Sequence, residues 1–160
     1  MRALIARLFT RAEPVVSEAA VRDAASFAAL HGASFRRGWT EDEFERLLLD
    51  RNVLAHRAGT GRDLEGFILS RLAADEAEIL SVAVSASQRS RGLAGRLLDL
   101  HLRALAGRGA RAVFLEVDDD NVAARRLYAR RHFREVGRRE AYYPRPGGGS
   151  RALLLRRDLG

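Results

Sequence analysis

The segment 77–105, AEILSVAVSASQRSRGLAGRLLDLHLRAL, constrains the fold most, because a strand pattern changes into a helix pattern across a basic turn. Residues 79–84 are mostly apolar and favour a strand, whereas Leu97, Leu98 and Leu105 recur at helical spacing. The first amides of such a helix have no acceptor within it and attract an anion. The segment therefore predicts a phosphate-binding turn between a strand and a helix.

The turn combines small and basic side chains. Its small residues leave little side chain between the backbone and a pyrophosphate, and its arginines add charge-assisted donors. The small residues are Gly92, Ala94 and Gly95, and the basic ones are Arg89, Arg91 and Arg96. The alternative is an ordinary turn without a ligand in an arginine-rich chain.

Composition sets further bounds. With 160 residues, 47% of them hydrophobic, the chain is expected to form one globular domain over residues 14–160, preceded by an N-terminal arm at residues 1–13. The chain has no cysteine, which excludes a disulfide framework, a cysteine-ligated zinc and a thiol nucleophile. All 28 basic residues are arginine, so motifs that need lysine, such as the P-loop, are absent.

The net charge of +7 leaves open a nucleic-acid-binding protein, because arginine contacts phosphate groups. The arginines are spread over every segment, however, and no zinc-finger or RNP pattern occurs, so we expect no direct contact with nucleic acid. No apolar stretch approaches the roughly 20 residues that cross a bilayer. The N-terminal apolar run is broken by Arg7 and is not a signal peptide, so we expect a cytoplasmic protein that does not bind membranes.

The region before the turn reads as helices and antiparallel strands. Thr40 and Glu43 form a capping box at the start of a helix, and Trp39 is predicted to pack on Phe44 as a hydrophobic staple, with a place in a substrate groove as the alternative. In chain order we predict a strand at 15–20, a helix at 23–31 ending at Gly32, a helix from Thr40 to Leu49, a hairpin of strands at 53–58 and 64–72, a turn at 74–76 and a strand at 77–84.

After the turn, the string 107–112 matches a dinucleotide-binding pattern, but it follows a helix and therefore predicts a helix C-terminus and a loop. The strands at 77–84 and 112–117 are joined through a helix and are expected to be parallel. The fold class is α/β: one mixed, mostly antiparallel sheet with helices on both faces. The remaining elements are a helix through Ala106, a turn at 118–121, a helix at 122–131, and a pair of strands at 133–143 and 152–155 around a Pro/Gly loop at 144–150.

Two side chains are candidates for a catalytic role. Glu116 interrupts the apolar run 112–117, where a carboxylate is costly unless it is paired or useful. Tyr128 follows in the next helix, after the chain runs roughly 15 Å out along the strand and roughly 10 Å back along the helix from Asn121. The two side chains can therefore face one site. The alternatives are a glutamate paired with an arginine and a tyrosine of the core.

These features also carry a resemblance. The string 89–94, Arg-Ser-Arg-Gly-Leu-Ala, resembles the Arg/Gln-x-x-Gly-x-Gly/Ala acetyl-CoA signature of the GCN5-related N-acetyltransferases. The strings 115–117, 127–128 and 142–144, together with Asn121 and Phe133, resemble the RimI-type enzymes of that family, which acetylate the N-terminal alanine of a ribosomal protein. The resemblance covers roughly residues 18–159 and includes the helix start at Trp39 and Thr40.

The resemblance implies a role for each matching residue. Glu116 would be the general base and Tyr128 the acid, while Trp39 and Tyr142 would line the groove of the acceptor. No metal is expected, and the four histidines show no ligand spacing. The residues implied to bind acetyl-CoA are Val82, Ala83 and Val84 for the acetyl-pantetheine arm, Arg89, Ser90, Arg91, Gly92, Leu93, Ala94 and Gly95 for the pyrophosphate, and Asn121.

The implied partners are acetyl-CoA and a protein N-terminus, that of a ribosomal protein, with the enzyme acting as a monomer or weak dimer. The sequence departs from the family at 131–133, where Arg-His-Phe replaces Leu-Gly-Phe, at the acidic run 118–120, and at the glycine loop 147–149. Two alternatives remain at this point. One is an enzyme of the same family that acts on a lysine or a small amine, and the other is a basic nucleic-acid- or ribosome-binding module without catalysis.

Overall fold

The computed structural model describes residues 12–61, 63–140 and 151–160, which form a seven-stranded sheet with four α-helices. The predicted arm therefore lies outside the described residues up to residue 11, as do the predicted strand end at 141–143 and the loop at 144–150. The helices are α1 (Ala24–Ser34), α2 (Glu41–Leu49), α3 (Leu93–Gly107) and α4 (Val122–Ala129). The strands are β1 (Val15–Glu18), β2 (Val53–Thr60), β3 (Asp63–Ala73), β4 (Glu76–Val84), β5 (Ala112–Asp118), β6 (Arg134–Glu140) and β7 (Arg151–Asp158).

The sheet has the strand order β1-β2-β3-β4-β5-β7-β6. Every neighbouring pair is antiparallel except β4 and β5, which are parallel as expected for strands joined through a helix. The predicted hairpin is β2 and β3, and the predicted pair of terminal strands is β6 and β7. The mixed, mostly antiparallel sheet is thus confirmed.

Helices cover both faces of the sheet, and side chains that alternate along the strands divide between two cores. On β3, Phe67 and Leu69 pack in one core with Phe27 of α1 and Phe44 of α2. Ile68, between them, packs in the other core with the leucines of α3 and with Tyr128 of α4. Strand β3 is therefore buried on both faces at these positions, which agrees with its short apolar run at residues 66–69.

The start of α2 follows the predicted capping box. The Thr40 hydroxyl accepts from the Glu43 amide at 3.2 Å, and the Glu43 carboxylate accepts from the Thr40 amide at 2.7 Å. The Trp39 and Phe44 rings lie 5.5 Å apart between centroids, so the predicted staple is present. A cap of this kind stabilises a helix by about 1 kcal/mol.

Two helix ends differ from the prediction. Helix α1 runs through Gly32 to Ser34, because the backbone becomes extended only at Phe35, whose ring packs against His31 with 4.4 Å between the centroids. Helix α4 ends at Ala129 rather than at 131, because His132 adopts a left-handed conformation with φ of 64° and the chain turns back toward Phe133.

The string 107–112 ends α3, as predicted. Gly109 has φ of 93°, its amide donates to the Ala106 carbonyl at 3.0 Å, and the Ala110 amide donates to the Leu105 carbonyl at 3.0 Å. This pair of hydrogen bonds is a Schellman motif, which requires a left-handed residue and so favours glycine. No helix among the described residues is long and apolar enough to cross a membrane.

Candidate active site

The site begins where β4 and β5 separate. These parallel strands pair only at their first residues, and the last pair joins Glu78 to Phe114. From Ile79 on β4 and Leu115 on β5, the strands diverge and both line one large cavity. The opening leaves polar backbone groups on the facing edge of β4 without a strand partner on that side, so they can bind an extended ligand.

A β-bulge lies in the same part of β4. The register with β3 pairs Leu69 with Ser81 but Ser70 with Ile79, so Leu80 is the extra residue. A bulge bends its strand and increases its twist, which here turns the end of β4 away from β5. The bulge and the separation of the strands therefore occur together.

The predicted phosphate turn lies at the end of β4. Gly92 is the N-cap of α3 and has φ of 81°, and the first helical hydrogen bond runs from the Arg96 amide to the Gly92 carbonyl at 3.1 Å. The amides of Leu93, Ala94 and Gly95 precede that bond and therefore have no acceptor within the helix. A Cβ atom built on Gly92 would have no neighbour within 4 Å, so the backbone is open there.

The cavity has a volume of about 1220 Å³ and a basic lining. Six arginines contribute to its wall, against two carboxylates, those of Glu116 and Asp118. Together with the free amides of α3, this charge suits a ligand that carries several phosphates. The arginines are Arg37, Arg89, Arg126, Arg130, Arg131 and Arg139.

Most of the residues predicted from the sequence line this one cavity. Arg91 is exposed and is not part of the wall, and Tyr142 lies outside the described residues. Arg96, also expected to bind phosphate, instead donates to the Pro14 carbonyl at 2.9 Å. The predicted residues in the wall are Trp39, Val82, Ala83, Val84, Arg89, Ser90, Gly92, Leu93, Ala94, Gly95, Glu116, Asn121 and Tyr128.

Glu116 is not buried in the apolar run, as its neighbours suggested, but points to the open side of β5. Its Oε2 accepts from Arg139 Nη2 at 2.6 Å, and the Glu116 side chain remains 41% exposed. The alternative of an arginine-paired glutamate is therefore present in the structure. One pairing does not exclude a second role, because a carboxylate has about four acceptor positions.

Tyr128 lies in the wall of the cavity and is otherwise buried. Its ring meets Phe133 edge to face at 5.5 Å, and burial raises the pKa of the phenol to about 12. Its hydroxyl has no hydrogen-bond partner among the residues that the structure describes. The phenol therefore stays protonated at neutral pH and can donate a proton to a ligand.

Three aromatic side chains from the end of α1 and the start of α2 line the cavity as well. The His31 ring lies between Phe35 and Trp39, with centroids 4.4 and 4.5 Å away. The Trp39 amide donates to His31 Nδ1 at 3.1 Å, so the neutral ring carries its proton on Nε2. Burial lowers the pKa of His31, which favours this neutral form. Neither His31 nor Phe35 was predicted from the sequence.

Asn121 caps α4. Its Oδ1 accepts from the Ala124 amide at 3.2 Å, which leaves the Nδ2 amide group for another partner. The residue thus fixes the start of the helix that carries Tyr128. Within the described residues, no three His, Asp or Glu side chains are grouped so that they could hold a metal ion.

The decisive comparison is with a family model. The model of the acetyltransferase (GNAT) family matches residues 19–133, which run from before α1 to the end of the α4 turn. The chain belongs to the GNAT family. It is accordingly an acetyl-CoA-dependent N-acetyltransferase, and the match includes the strand, turn and helix that form the basic end of the cavity.

Two curated proteins are similar to most of this chain. The ribosomal protein bS18-alanine N-acetyltransferase of Escherichia coli (strain K12) is 29% identical over 117 residues, which are 73% of this chain and 78% of that protein. An uncharacterized protein of Mycobacterium leprae (strain TN) is 36% identical over 124 residues, which are 75% of this chain and 33% of that protein.

Solved structures share the fold. The ribosomal-protein-S18-alanine N-acetyltransferase from Escherichia coli superposes with a TM-score of 0.84 at 24% identity, over 92% of this chain and 94% of that one. Arabidopsis thaliana NAA60, solved in complex with acetyl-CoA, superposes with a TM-score of 0.78 at 21% identity, over 91% and 98% of the two chains.

The groups that line the cavity of this GNAT enzyme are suited to acetyl-CoA. The free amides of α3 and the surrounding arginines suit the pyrophosphate, and the open edge of β4 suits the amide-containing pantetheine arm. At Gly95 the structure adds a contact that was not predicted from the sequence. A Cβ atom there would lie 2.2 Å from Arg131 Nη2, so the missing side chain makes room for a guanidinium and not only for a phosphate.

Proposed function

We propose that this enzyme transfers the acetyl group of acetyl-CoA to the N-terminal α-amine of a protein, specifically the N-terminal alanine of a ribosomal protein in the cytoplasm. One observation carries the proposal. A single cavity contains the free amides of α3, an exposed carboxylate at Glu116 and a protonated phenol at Tyr128. The curated relatives named as bS18-alanine N-acetyltransferases support the acceptor.

The aromatic residues His31, Phe35 and Trp39 form the acceptor end of the proposed site. Phe35 is 42% exposed, so it offers an apolar surface to an incoming chain at the cavity mouth. The first residue of the acceptor would pack against this surface, which suits a small apolar side chain such as alanine. The exposed Glu116 carboxylate is then an acidic group available to the amine.

In the proposed reaction, Glu116 accepts a proton from the amine, directly or through a water molecule, as the nitrogen attacks the acetyl carbonyl carbon. The carbon–sulfur bond then breaks, and the sulfur leaves as a thiolate that takes a proton from Tyr128. A backbone amide near Val82 donates to the acetyl oxygen while it is negative, a contact worth roughly 3 to 4 kcal/mol. The phenolate of Tyr128 regains its proton from water.

Two features favour direct transfer to an α-amine. The chain has no cysteine to carry an acetyl group, so transfer within a ternary complex is the simpler route. An α-amine has a pKa of about 7.7 to 8.0 against about 10.4 for lysine, so its neutral fraction at pH 7 is larger by roughly 250-fold. A single carboxylate is sufficient as the base for such an acceptor.

The test is an acetylation assay with matched peptides, read by mass spectrometry. One peptide begins with alanine, a second is the same peptide with its N-terminus already acetylated, and both contain one internal lysine. We expect acetylation of the α-amine of the first peptide and none of the blocked peptide. A third peptide with a bulky first residue, leucine, should react more slowly if the aromatic surface selects a small side chain.

Transfer to the lysine of the blocked peptide at a comparable rate would replace the proposal with a lysine acetyltransferase. Turnover of acetyl-CoA with small amines but with none of the peptides would indicate a small-molecule acceptor. Acetyl-CoA binding by calorimetry, measured without any acceptor, is the control that the protein is folded and competent. In a folded protein, that control fails only if the cofactor site itself is misassigned.

A further inference from the structure

The Arg131 side chain lies against the first turn of α3. A Cβ atom built on Gly95 would be 2.2 Å from Arg131 Nη2 and 3.0 Å from its Cζ, so the guanidinium occupies the space that a side chain at 95 would need. Gly95 contributes one of the three amides without a helical acceptor. The guanidinium therefore sits beside the part of the cavity that suits a phosphate.

Neighbouring groups hold the guanidinium in this position. Arg131 Nε donates to Asp99 Oδ1 at 2.8 Å, and Nη2 donates to Asp99 Oδ2 at 3.3 Å. Nη1 donates to the Leu127 carbonyl at 3.4 Å, on the helix that precedes Arg131. Asp99 lies four residues after Gly95, one turn along α3. A two-pronged ion pair of this kind fixes the planar group in one orientation.

These contacts leave donors for a ligand. The guanidinium has five N–H groups, and the hydrogen bonds to Asp99 and Leu127 use three of them. One N–H remains on each terminal nitrogen. The Arg131 side chain is only 21% exposed and lines the cavity. Because it is already fixed in one conformation, a phosphate that binds there would cost little additional side-chain entropy.

We propose that Arg131 binds a phosphate group of acetyl-CoA. Asp99 holds the Arg131 guanidinium in place, and the absence of a side chain at Gly95 leaves room for it. The proposal depends on acetyl-CoA as the donor, and it is independent of the acceptor proposed above, because binding is measured without an acceptor. Arg131 lies outside the turn 89–95 in sequence, which explains why the phosphate pattern did not include it. Either the pyrophosphate or the 3′-phosphate of the cofactor could supply the group.

The first test measures the Kd of three donors by calorimetry in Arg131→Leu and in wild type. The donors are acetyl-CoA, its 3′-dephospho form, and acetyl-pantetheine, which lacks both the pyrophosphate and the nucleoside. We expect Arg131→Leu to weaken acetyl-CoA binding by about tenfold or more, the usual effect of losing a charged hydrogen bond. Acetyl-pantetheine binding should stay unchanged. Arg103→Leu, which removes an exposed arginine of α3 outside the cavity wall, is the control for charge alone.

The three donors also locate the phosphate. If Arg131→Leu weakens acetyl-CoA and its 3′-dephospho form equally, Arg131 binds the pyrophosphate. If only acetyl-CoA is weakened, the contact is to the 3′-phosphate. Equal loss for all three donors, with a lower kcat, means that Arg131 only positions α4, and unchanged affinity for all of them removes the role entirely. Either of these last two results overturns the proposal.

A second test uses the contact with Gly95. In Gly95→Ala, the new methyl group would displace the guanidinium from Asp99, so acetyl-CoA affinity should fall about as far as in Arg131→Leu. In the double variant Gly95→Ala/Arg131→Leu there is no guanidinium left to displace. The loss of acetyl-CoA affinity should therefore match that of Arg131→Leu alone within about twofold. Losses that multiply would mean that Gly95 is needed only for close approach of the phosphate to the backbone. A thermal unfolding scan of each variant, without ligand, confirms that the fold is intact.

Discussion

Arg139 on β6 reaches across the intervening strand β7 and donates to Glu116 on β5, with 2.6 Å between Nη2 and Oε2. Both side chains are substantially exposed, at 66% and 41%, and both line the cavity. An exposed pair of this kind contributes no more than about 1 kcal/mol to stability. The position of the pair at the cavity therefore matters more than its contribution to stability. Variants of the two residues can distinguish a catalytic role of Glu116 from its role as the partner of Arg139.

The first prediction compares Glu116→Gln with Arg139→Gln. If Glu116 is the general base, Glu116→Gln should lower kcat/KM for the acceptor peptide by about 10²- to 10⁴-fold and weaken its pH dependence, with acetyl-CoA binding nearly unchanged. Arg139→Gln removes the same ion pair but leaves the carboxylate, so it should cost much less. Equal losses in the two variants would mean that Glu116 matters only as the partner of Arg139.

The second prediction concerns the hydroxyl of Tyr128. Tyr128→Phe keeps the packing on Phe133 and should change the free energy of unfolding by no more than about 1 kcal/mol. Loss of a general acid should lower kcat by about 10²-fold, the lower end of the usual range, because a thiolate is a good leaving group. The Kd for acetyl-CoA should be unchanged. Wild-type kcat in this variant would return Tyr128 to a packing role.

The raised pKa of Tyr128 adds a pH test. Because burial raises the pKa of the phenol to about 12, the acid stays protonated through the alkaline range in which a free tyrosine would lose its proton. The kcat of the wild type should therefore show no decline between pH 9 and about 10.5 from loss of this proton. A decline there that vanishes in Tyr128→Phe would contradict the assigned environment.

The third prediction separates phosphate binding from backbone strain at Gly92. Gly92 and Gly109 have similar left-handed φ values, 81° and 93°, and a Cβ atom on either would have no neighbour within 4 Å. Replacing either glycine with leucine should cost about 1 to 2 kcal/mol of stability. Only Gly92→Leu, at the cavity end of α3, should strongly raise the KM for acetyl-CoA. Similar KM values in the two variants would remove Gly92 from the phosphate site.

The order of elements could be predicted because each one carries a local signal. The capping box at Thr40, the change from strand to helix at 77–105 and the helix C-terminus at 107–112 all depend on residues close in sequence. The helix ends were less predictable. Gly32 does not end α1, because the backbone becomes extended only at Phe35, whose ring packs against His31, and His31 is itself packed against Trp39 and Phe67 outside the helix.

Many residues that line the cavity could be named from the sequence, but His31, Phe35 and Arg131 were missed, and the contacts between the side chains were not predicted. The turn 89–95 and the pair Glu116 and Tyr128 follow from local pattern and resemblance. The bulge at Leu80 has no local signal, since leucine fits a regular strand equally well. The contact of Arg139 with Glu116 joins residues 23 positions apart, and a chain with 28 arginines offers many equivalent partners for any carboxylate.

A buried chain of polar side chains lies outside the active site, under α3. His101 of α3 is fully buried, with its Nδ1 2.8 Å from His56 Nδ1 on β2 and its Nε2 2.7 Å from Ser70 Oγ on β3. Two Nδ1 atoms at this distance share one proton, so the two rings cannot both be charged. Burial, followed by the neighbouring His56, lowers the pKa of His101 to about 3. Burial also lowers the pKa of His56; the charge of Glu18 opposes this shift, and the charge of Arg108 adds to it.

The last prediction follows from this neutral chain. Because the pKa of His101 is lower in the folded state, about 3, than in the unfolded state, about 6.5, the unfolded state binds the proton first as the pH falls. Stability is therefore complete above about pH 6.5 and is lost progressively toward pH 3. Between pH 7 and pH 5, above the titration of most carboxyl groups, His101 should account for a loss of about 2 kcal/mol in the free energy of unfolding by urea. His101→Gln, which cannot titrate, should be less stable at pH 7 but should show a smaller loss between the two pH values. An equal loss in both proteins would assign the acid sensitivity to groups other than this histidine.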